Sequence, residues 1–308
     1  MLQQLLVPLD GSAAAELALP VACGLARRLR TPVTLVHVVE RAAPETVHGQ
    51  PHLGTADAAR AYLADRARSA FPDDVTVECQ VHDGSAGDVP RGILASVKAH
   101  TSTLIVMCPH GRRGLPVLLR SEVAQRIVAD GGTPVLLVPP SLKMAAEFRC
   151  RTLLVALDGN EVHEQALPLA RDIAKACGAT IRLVLAVPTP GTLPNGVAAA
   201  GRLLPRTSRA VLEIAREEAA EYLRRHIACL KSIGVSASAD IRRGDAAKAI
   251  AAAARESDAD VIVLTTHRRI GMRAFWAGSV APRVASYSKA PVLLVPIDRR
   301  AEWPPRHS

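Results

Sequence analysis

The sequence predicts an α/β fold of two tandem, doubly wound, five-stranded parallel-sheet domains. Three observations carry that prediction. The hexapeptide Pro134-Val135-Leu136-Leu137-Val138-Pro139 returns unchanged as Pro291-Val292-Leu293-Leu294-Val295-Pro296, and a repeat at matching points of two halves sets the architecture before any local reading. The opening run Leu5-Leu6-Val7-Pro8-Leu9-Asp10-Gly11 is echoed 148 positions later by Leu153-Leu154-Val155-Ala156-Leu157-Asp158-Gly159. Each half also alternates short apolar β-forming runs with amphipathic segments, the pattern of right-handed βαβ crossovers.

In the first half, Leu5–Leu9 reads as a strand ending in Asp10 and a turn. Leu17, Val21, Leu25 and Leu29 at helical spacing predict a helix over Ala13–Arg30. The near-continuous β-formers of Pro32–Val39 suit a strand covered on both faces. A Pro-, Gly- and His-rich loop, Arg41–Gly54, precedes a helix near Ala56–Ala70, a strand near Val75–Val81 and a helix near Val89–His100. Leu104–Met107 is the next strand, and an arginine-rich turn and a helix lead to the closing hexapeptide. Lys143–Phe148 reads as a linker, which places the domains at 1–142 and 149–308. The second half then repeats the order: a helix carrying Leu167, Ala170 and Ile173, a strand Thr180–Val187, a loop Pro188–Pro205, and a long helix near Ser208–Ile233 with an expected Glu221–Arg225 pair. Asp245 fits the N-cap of a helix ending near Arg255, and Val261–Leu264 is the fourth strand.

At 308 residues and 49% hydrophobic composition, the chain can bury two ordinary cores. No apolar run reaches the roughly 18 to 20 residues that span a bilayer, and Met1 leads into a strand without a leader pattern, so no membrane and a cytoplasmic location are expected. Six cysteines without a CxxC pair predict reduced thiols rather than a disulfide framework or a zinc site. The net charge of +9 would attract polyanions, but 3% aromatic residues provide no stacking platform, which argues against nucleic acid.

With these residues set out, the chain resembles the universal stress protein family twice over. The carriers are Val7-Pro8-Leu9-Asp10-Gly11-Ser12, Val106-Met107-Cys108-Pro109-His110-Gly111, Val155-Ala156-Leu157-Asp158-Gly159, Asp260–His267, Gly278-Ser279-Val280-Ala281 and the two closing hexapeptides. The resemblance implies an adenine nucleotide alpha hydrolase-like fold with strand order 3-2-1-4-5. It also implies pairing of the units through the last strand, giving an internal pseudo-dimer, and a homodimer as a further assembly.

The ATP-binding branch of that family carries Gly-x2-Gly-x9-Gly-Ser/Thr after the fourth strand, where glycines admit phosphate to backbone N–H groups at a helix start. Here its positions fall on Cys108, Gly111, Ser121 and Glu122 in the first half, and on Thr265, Arg268, Gly278 and Ser279 in the second. Glu122 would repel phosphate. Val280 follows the surviving donor pair. Asp10 and Asp158 match the acid near the nucleoside, and Val38 and Ala186 match the backbone position near the base. Each acid reads equally as a helix cap, Gly111–Gly114 as ordinary turn chemistry, and His110 and His267 as loop histidines with no acid or nucleophile spaced for a triad. His48 and His52 alone make a weak metal pair, the Arg112-Arg113 and Arg268-Arg269 pairs read as solvated rims, and Cys108 reads as an apolar filler. The expected function is a regulatory or protective stress protein that binds ATP, with Mg²⁺, weakly in the second-half crevice. The alternatives are a non-nucleotide scaffold or small-molecule sensor acting through protein contacts, and at most a slow ATPase.

Overall fold

The computed structural model describes residues 2–40, 46–47, 50–51, 53–82, 88–97, 102–109, 121–130, 132–142, 147–189, 205–267 and 279–297. In chain order the first half contains β1 (Gln4–Pro8), α1 (Ala13–Glu16), α2 (Leu19–Leu29), β2 (Val33–Val38), β3 (Thr46–Val47), β4 (Gln50–Pro51) and α3 (Ala56–Ala70). It continues with β5 (Val77–His82), α4 (Val89–Ala95), β6 (Thr103–Met107), α5 (Glu122–Asp130) and β7 (Val135–Leu137). The second half contains β8 (Thr152–Leu157), a 3₁₀ turn (Glu161–Gln165), α6 (Ala166–Cys177), β9 (Thr180–Val187) and α7 (Pro205–Ser232). It closes with β10 (Ala237–Arg243), α8 (Ala246–Glu256), β11 (Val261–Thr266), α9 (Val280–Tyr287) and β12 (Val292–Pro296).

The main strands of each half follow the expected order, β5-β2-β1-β6-β7 and β10-β9-β8-β11-β12. The two sheets are not separate. β7 and β12 pair antiparallel, with Leu136 opposite Leu293, and fuse them into one ten-stranded sheet. Every other pairing in it is parallel. Because side chains alternate along a strand, Leu5 and Val7 join the core under α2, α3, α6 and α7, while Leu6 joins the core under α4, α5, α8 and α9. Covering both faces explains why these strands read as unbroken apolar runs.

Four expectations need correction. The helix expected over Ala13–Arg30 is two helices, because Pro20 has no N–H and its ring collides with the carbonyl four residues back; the chain re-enters helix at Leu19 with Pro20 in the first turn. The Arg41–Gly54 loop contains the β3–β4 ribbon. The helix begun at Val89 ends at Ala95, short of His100. Glu221 pairs with Arg224 rather than Arg225, whose guanidinium lies 5.9 Å from the Tyr222 ring centroid. The linker is also more than a tether: Phe148 is buried against α2, and a Cβ added to Gly24 would lie 2.5 Å from its backbone oxygen.

Candidate functional site

Ligands of doubly wound sheets bind beyond the carboxyl ends of the strands, where strand order reverses. In the second half that place is the turn after β8. The Asp158 Oδ1 accepts from the Asn160 N–H at 3.0 Å, and its Oδ2 lies 2.6 Å from His163 Nδ1. Gly159 sits at φ +84°, in the left-handed region that favours glycine. Among the described residues nothing stands within 4 Å of where its Cβ would be. The His163 ring meets the His267 ring edge-on at 5.1 Å. Asp158, His163 and His267 therefore form a row across the ends of β8 and β11. Behind them Glu164, 3% exposed, is 3.1 Å from His226 Nε2. The Tyr222 ring packs edge-on against His226, and its buried hydroxyl has no well-formed hydrogen bond among the described residues. Burial first, and then the nearby Glu164 charge, pushes the Tyr222 pKa up.

The first half builds the same turn and closes it. Asp10 Oδ1 accepts from the Ser12 N–H at 3.0 Å and from the Ser12 hydroxyl at 2.6 Å. Gly11 has φ +87°, but Leu53 Cδ1 lies 3.1 Å from its Cβ position, so a leucine roofs the turn. Buried His37 fixes that roof, with Nδ1 2.7 Å from the Leu9 carbonyl and Nε2 3.3 Å from that of Leu53. Glu16 accepts from Tyr62 at 2.9 Å and from Arg66 at 3.3 Å. Burial and then that hydrogen bond raise the Tyr62 pKa.

Asp158, Thr265 and Ser279 stand at the carboxyl-end side of β8 and β11 or at the start of α9, on a common side of the fold. Thr265 is half-buried, and Ser279 occupies the N-cap position of α9 without making a side-chain capping bond. Val280, the first helical residue, is 37% exposed. Ala186 near the end of β9 is half-buried, whereas Val38 is buried, with a methyl 2.7 Å from where Gly92 would carry a Cβ. Gly111, Arg268 and Gly278 lie outside the described residues, as do His48, His52, His110, Arg112, Arg113 and Arg269. Glu122 begins α5, whose start is capped by the Ser121 hydroxyl, 3.1 Å from the Ala124 N–H. Cys108 is 2% exposed and belongs to the core.

Sequence reasoning missed His163, which supplies an acid–histidine contact beside His267 where none was expected. It also missed the acid–tyrosine–base groups Glu16–Tyr62–Arg66 and Glu164–Tyr222–His226. A signal for them existed: each glutamate follows its turn aspartate by the same interval, and each tyrosine has its base one helical turn later. A cavity of about 450 Å³ lies elsewhere, between the amino ends of β1 and β6 and the start of α6, lined by Ser102, Thr103, Thr133 and Asp172.

The sequence pattern of the universal stress protein family matches residues 1–139 and again residues 150–296. The chain belongs to the universal stress protein family. A universal stress protein from Methanocaldococcus jannaschii is 28% identical over 145 residues, covering 47% of this chain and 81% of that protein. Full-length fold likeness extends to a universal stress protein from Archaeoglobus fulgidus, with TM-score 0.60, 18% identity, and 95% and 98% of the two chains covered. A functionally unknown protein from Pseudomonas aeruginosa superposes with TM-score 0.64 at 21% identity over 96% and 93% of the chains. The two units meet through their last strands, as the resemblance implied. Among the described residues no helix is long and apolar enough to cross a membrane, and no three His, Cys, Asp or Glu side chains are grouped to hold a metal ion.

Proposed function

We propose that this universal stress protein has a regulatory or protective role and binds an adenine nucleotide weakly, through the crevice of its second half. The observation that carries the reading is the contrast between the two aspartate–glycine turns: Leu53 covers Gly11, while Gly159 is uncovered among the described residues. An uncovered glycine turn lets a ligand approach backbone closely. The first turn of a helix such as α9 has N–H groups with no intrahelical partner, and among the described residues the Ser279 hydroxyl is not engaged in capping them. At the matching place in the first half, Glu122 sets a carboxylate in the first turn of α5, where it repels phosphate. Asp158 retains an exposed carboxylate, 55% accessible, for a ribose hydroxyl. With no protein cage for a cation among the described residues, Mg²⁺ would arrive on the phosphates.

Calorimetric titration with ATP and MgCl2 tests the proposal. A Kd on the order of 10 to 100 µM is expected, lost in Gly278→Arg and unchanged in Asp10→Ala. No heat at millimolar ATP, or full affinity in Gly278→Arg, overturns it and leaves the scaffold reading, which the missing leading glycines at Thr265 and Arg268 favour.

A further inference from the structure

The joint between the halves has two ends, and the repeat makes them comparable residue by residue. The offset of 148 positions that relates Asp10 to Asp158 runs on into the next helix, where Ala18-Leu19-Pro20 returns as Ala166-Leu167-Pro168. It sets Val21 against Leu169 and Gly24 against Asp172, and the closing hexapeptides set Val138 against Val295. At one end of the joint Phe148 is seated. Its Cβ lies 3.1 Å and its backbone oxygen 2.5 Å from where Gly24 would carry a Cβ. Val21, Val138 and Phe148 belong to one core cluster, and Val21 is 0% exposed.

At the other end lies the cavity of about 450 Å³. The first half contributes Ser102, Thr133 and Pro134 to its wall, and the second contributes Leu169, Asp172 and Val295. Among the described residues nothing takes the place of Phe148, and Leu169 and Asp172 stay half-buried where Val21 and Gly24 are covered. The filled end carries a glycine where the open end carries a carboxylate. Asp172 is the one charged side chain among the described lining residues. Arg171 holds its Oδ1 from outside the lining, through Nε at 2.9 Å and a terminal nitrogen at 2.8 Å. That pair fixes the carboxylate, which has lone pairs for further donors.

We propose that this end of the joint binds a small aromatic amine, with its ring among Pro134, Leu169 and Val295 and its ammonium on Asp172. The volume lies in the range of roughly 300–1,000 Å³ typical of small-molecule sites. The apolar walls suit an aromatic body, as the related walls suit Phe148. A carboxylate partly removed from water gains most from a charged donor and repels an anion. The Ser102 and Thr133 hydroxyls line the same cavity and supply acceptors for the remaining ammonium hydrogens. The site stands at the amino ends of β1 and β6, apart from the crevice beyond β8, and so does not depend on the nucleotide reading. Because its walls come from both halves, its occupant stabilises the joint.

Calorimetric titration of the full-length protein with phenethylamine tests the proposal, with 2-phenylethanol and 3-phenylpropionate as neutral and anionic counterparts of similar shape. The amine should bind with a Kd on the order of 1 mM, at least about tenfold tighter than either counterpart, and should raise the thermal midpoint. In Asp172→Asn that preference should fall below about twofold. Leu169→Trp, which fills the cavity, should abolish binding of the amine. Circular dichroism checks that both variants fold, and the comparison of the three ligands on the wild-type protein decides even if neither does. No binding of the amine at concentrations on the order of 10 mM, equal affinity for amine and alcohol, or a preference that survives Asp172→Asn overturns the proposal.

Discussion

Tyr62 and Tyr222 hold corresponding places on α3 and α7; the Tyr62 hydroxyl donates to Glu16 at 2.9 Å, while the Tyr222 hydroxyl has no well-formed hydrogen bond among the described residues. Removing a satisfied buried hydroxyl costs about 1 kcal/mol, because Glu16 loses a donor. Removing an unsatisfied one costs nothing or relieves desolvation. Tyr62→Phe should therefore lower the urea midpoint, and Tyr222→Phe should leave it unchanged or raise it, which equilibrium unfolding of both variants reads directly. Gly24 offers a sharper contrast at this scale. Inside a helix, Gly→Ala ordinarily stabilises by roughly 0.5–1 kcal/mol. In α2 the new Cβ would meet the Phe148 backbone oxygen at 2.5 Å, and backbone cannot swing aside. Gly24→Ala should destabilise by about 1–3 kcal/mol, and a gain in thermal midpoint would show that Phe148 does not pack as described.

Among the elements, the helix after the third main strand is tied in the same way in both halves. Asp88 caps α4 and binds Arg126 of α5 at 2.6 Å; Asp245 caps α8 and binds Arg283 of α9 at 2.8 Å. The capped Lys248 N–H, and next Arg283, hold the Asp245 carboxyl below the usual range. A depressed folded-state pKa stabilises above the unfolded value near 3.9, and that contribution disappears as pH falls through the folded value. Asn keeps the cap and loses the charge. Asp245→Asn should thus cost about 0.5–1 kcal/mol at pH 7, with the gap from wild type closing below about pH 4 in denaturant titrations. The sequence disclosed the Asp245 cap because capping is local. It concealed Arg283, since that ion pair depends on how α8 and α9 lie against each other. Pro20 was legible but outweighed in the reading by four leucine and valine positions whose spacing continues through the break.

For the whole molecule, two parallel α/β units covered on both faces were readable from the repeat, because apolar runs and terminal aspartates recur where parallel topology needs them, whereas the strand order came only with the family resemblance. The site was readable only in part. Asp158 lies on a repeated motif and Ser279 on a family pattern kept only in the second half, whereas His163 and Leu53 act through contacts that no local pattern marks. The fusion of the sheets sets the last expectation. β7 spans three residues, and without β12 it would present an unpaired edge. Its Leu136 is 1% exposed and faces Leu293, 0% exposed, at the centre of an antiparallel pair of identical segments. Leu136→Lys would bury a charge with no partner in that register, costing roughly 3 kcal/mol or more. If one sheet couples the halves, hydrogen exchange should quicken in β6 and β7 and equally in β11 and β12. Loss of protection confined to β6 and β7 would mean that the joint can open while the second half keeps its own core intact.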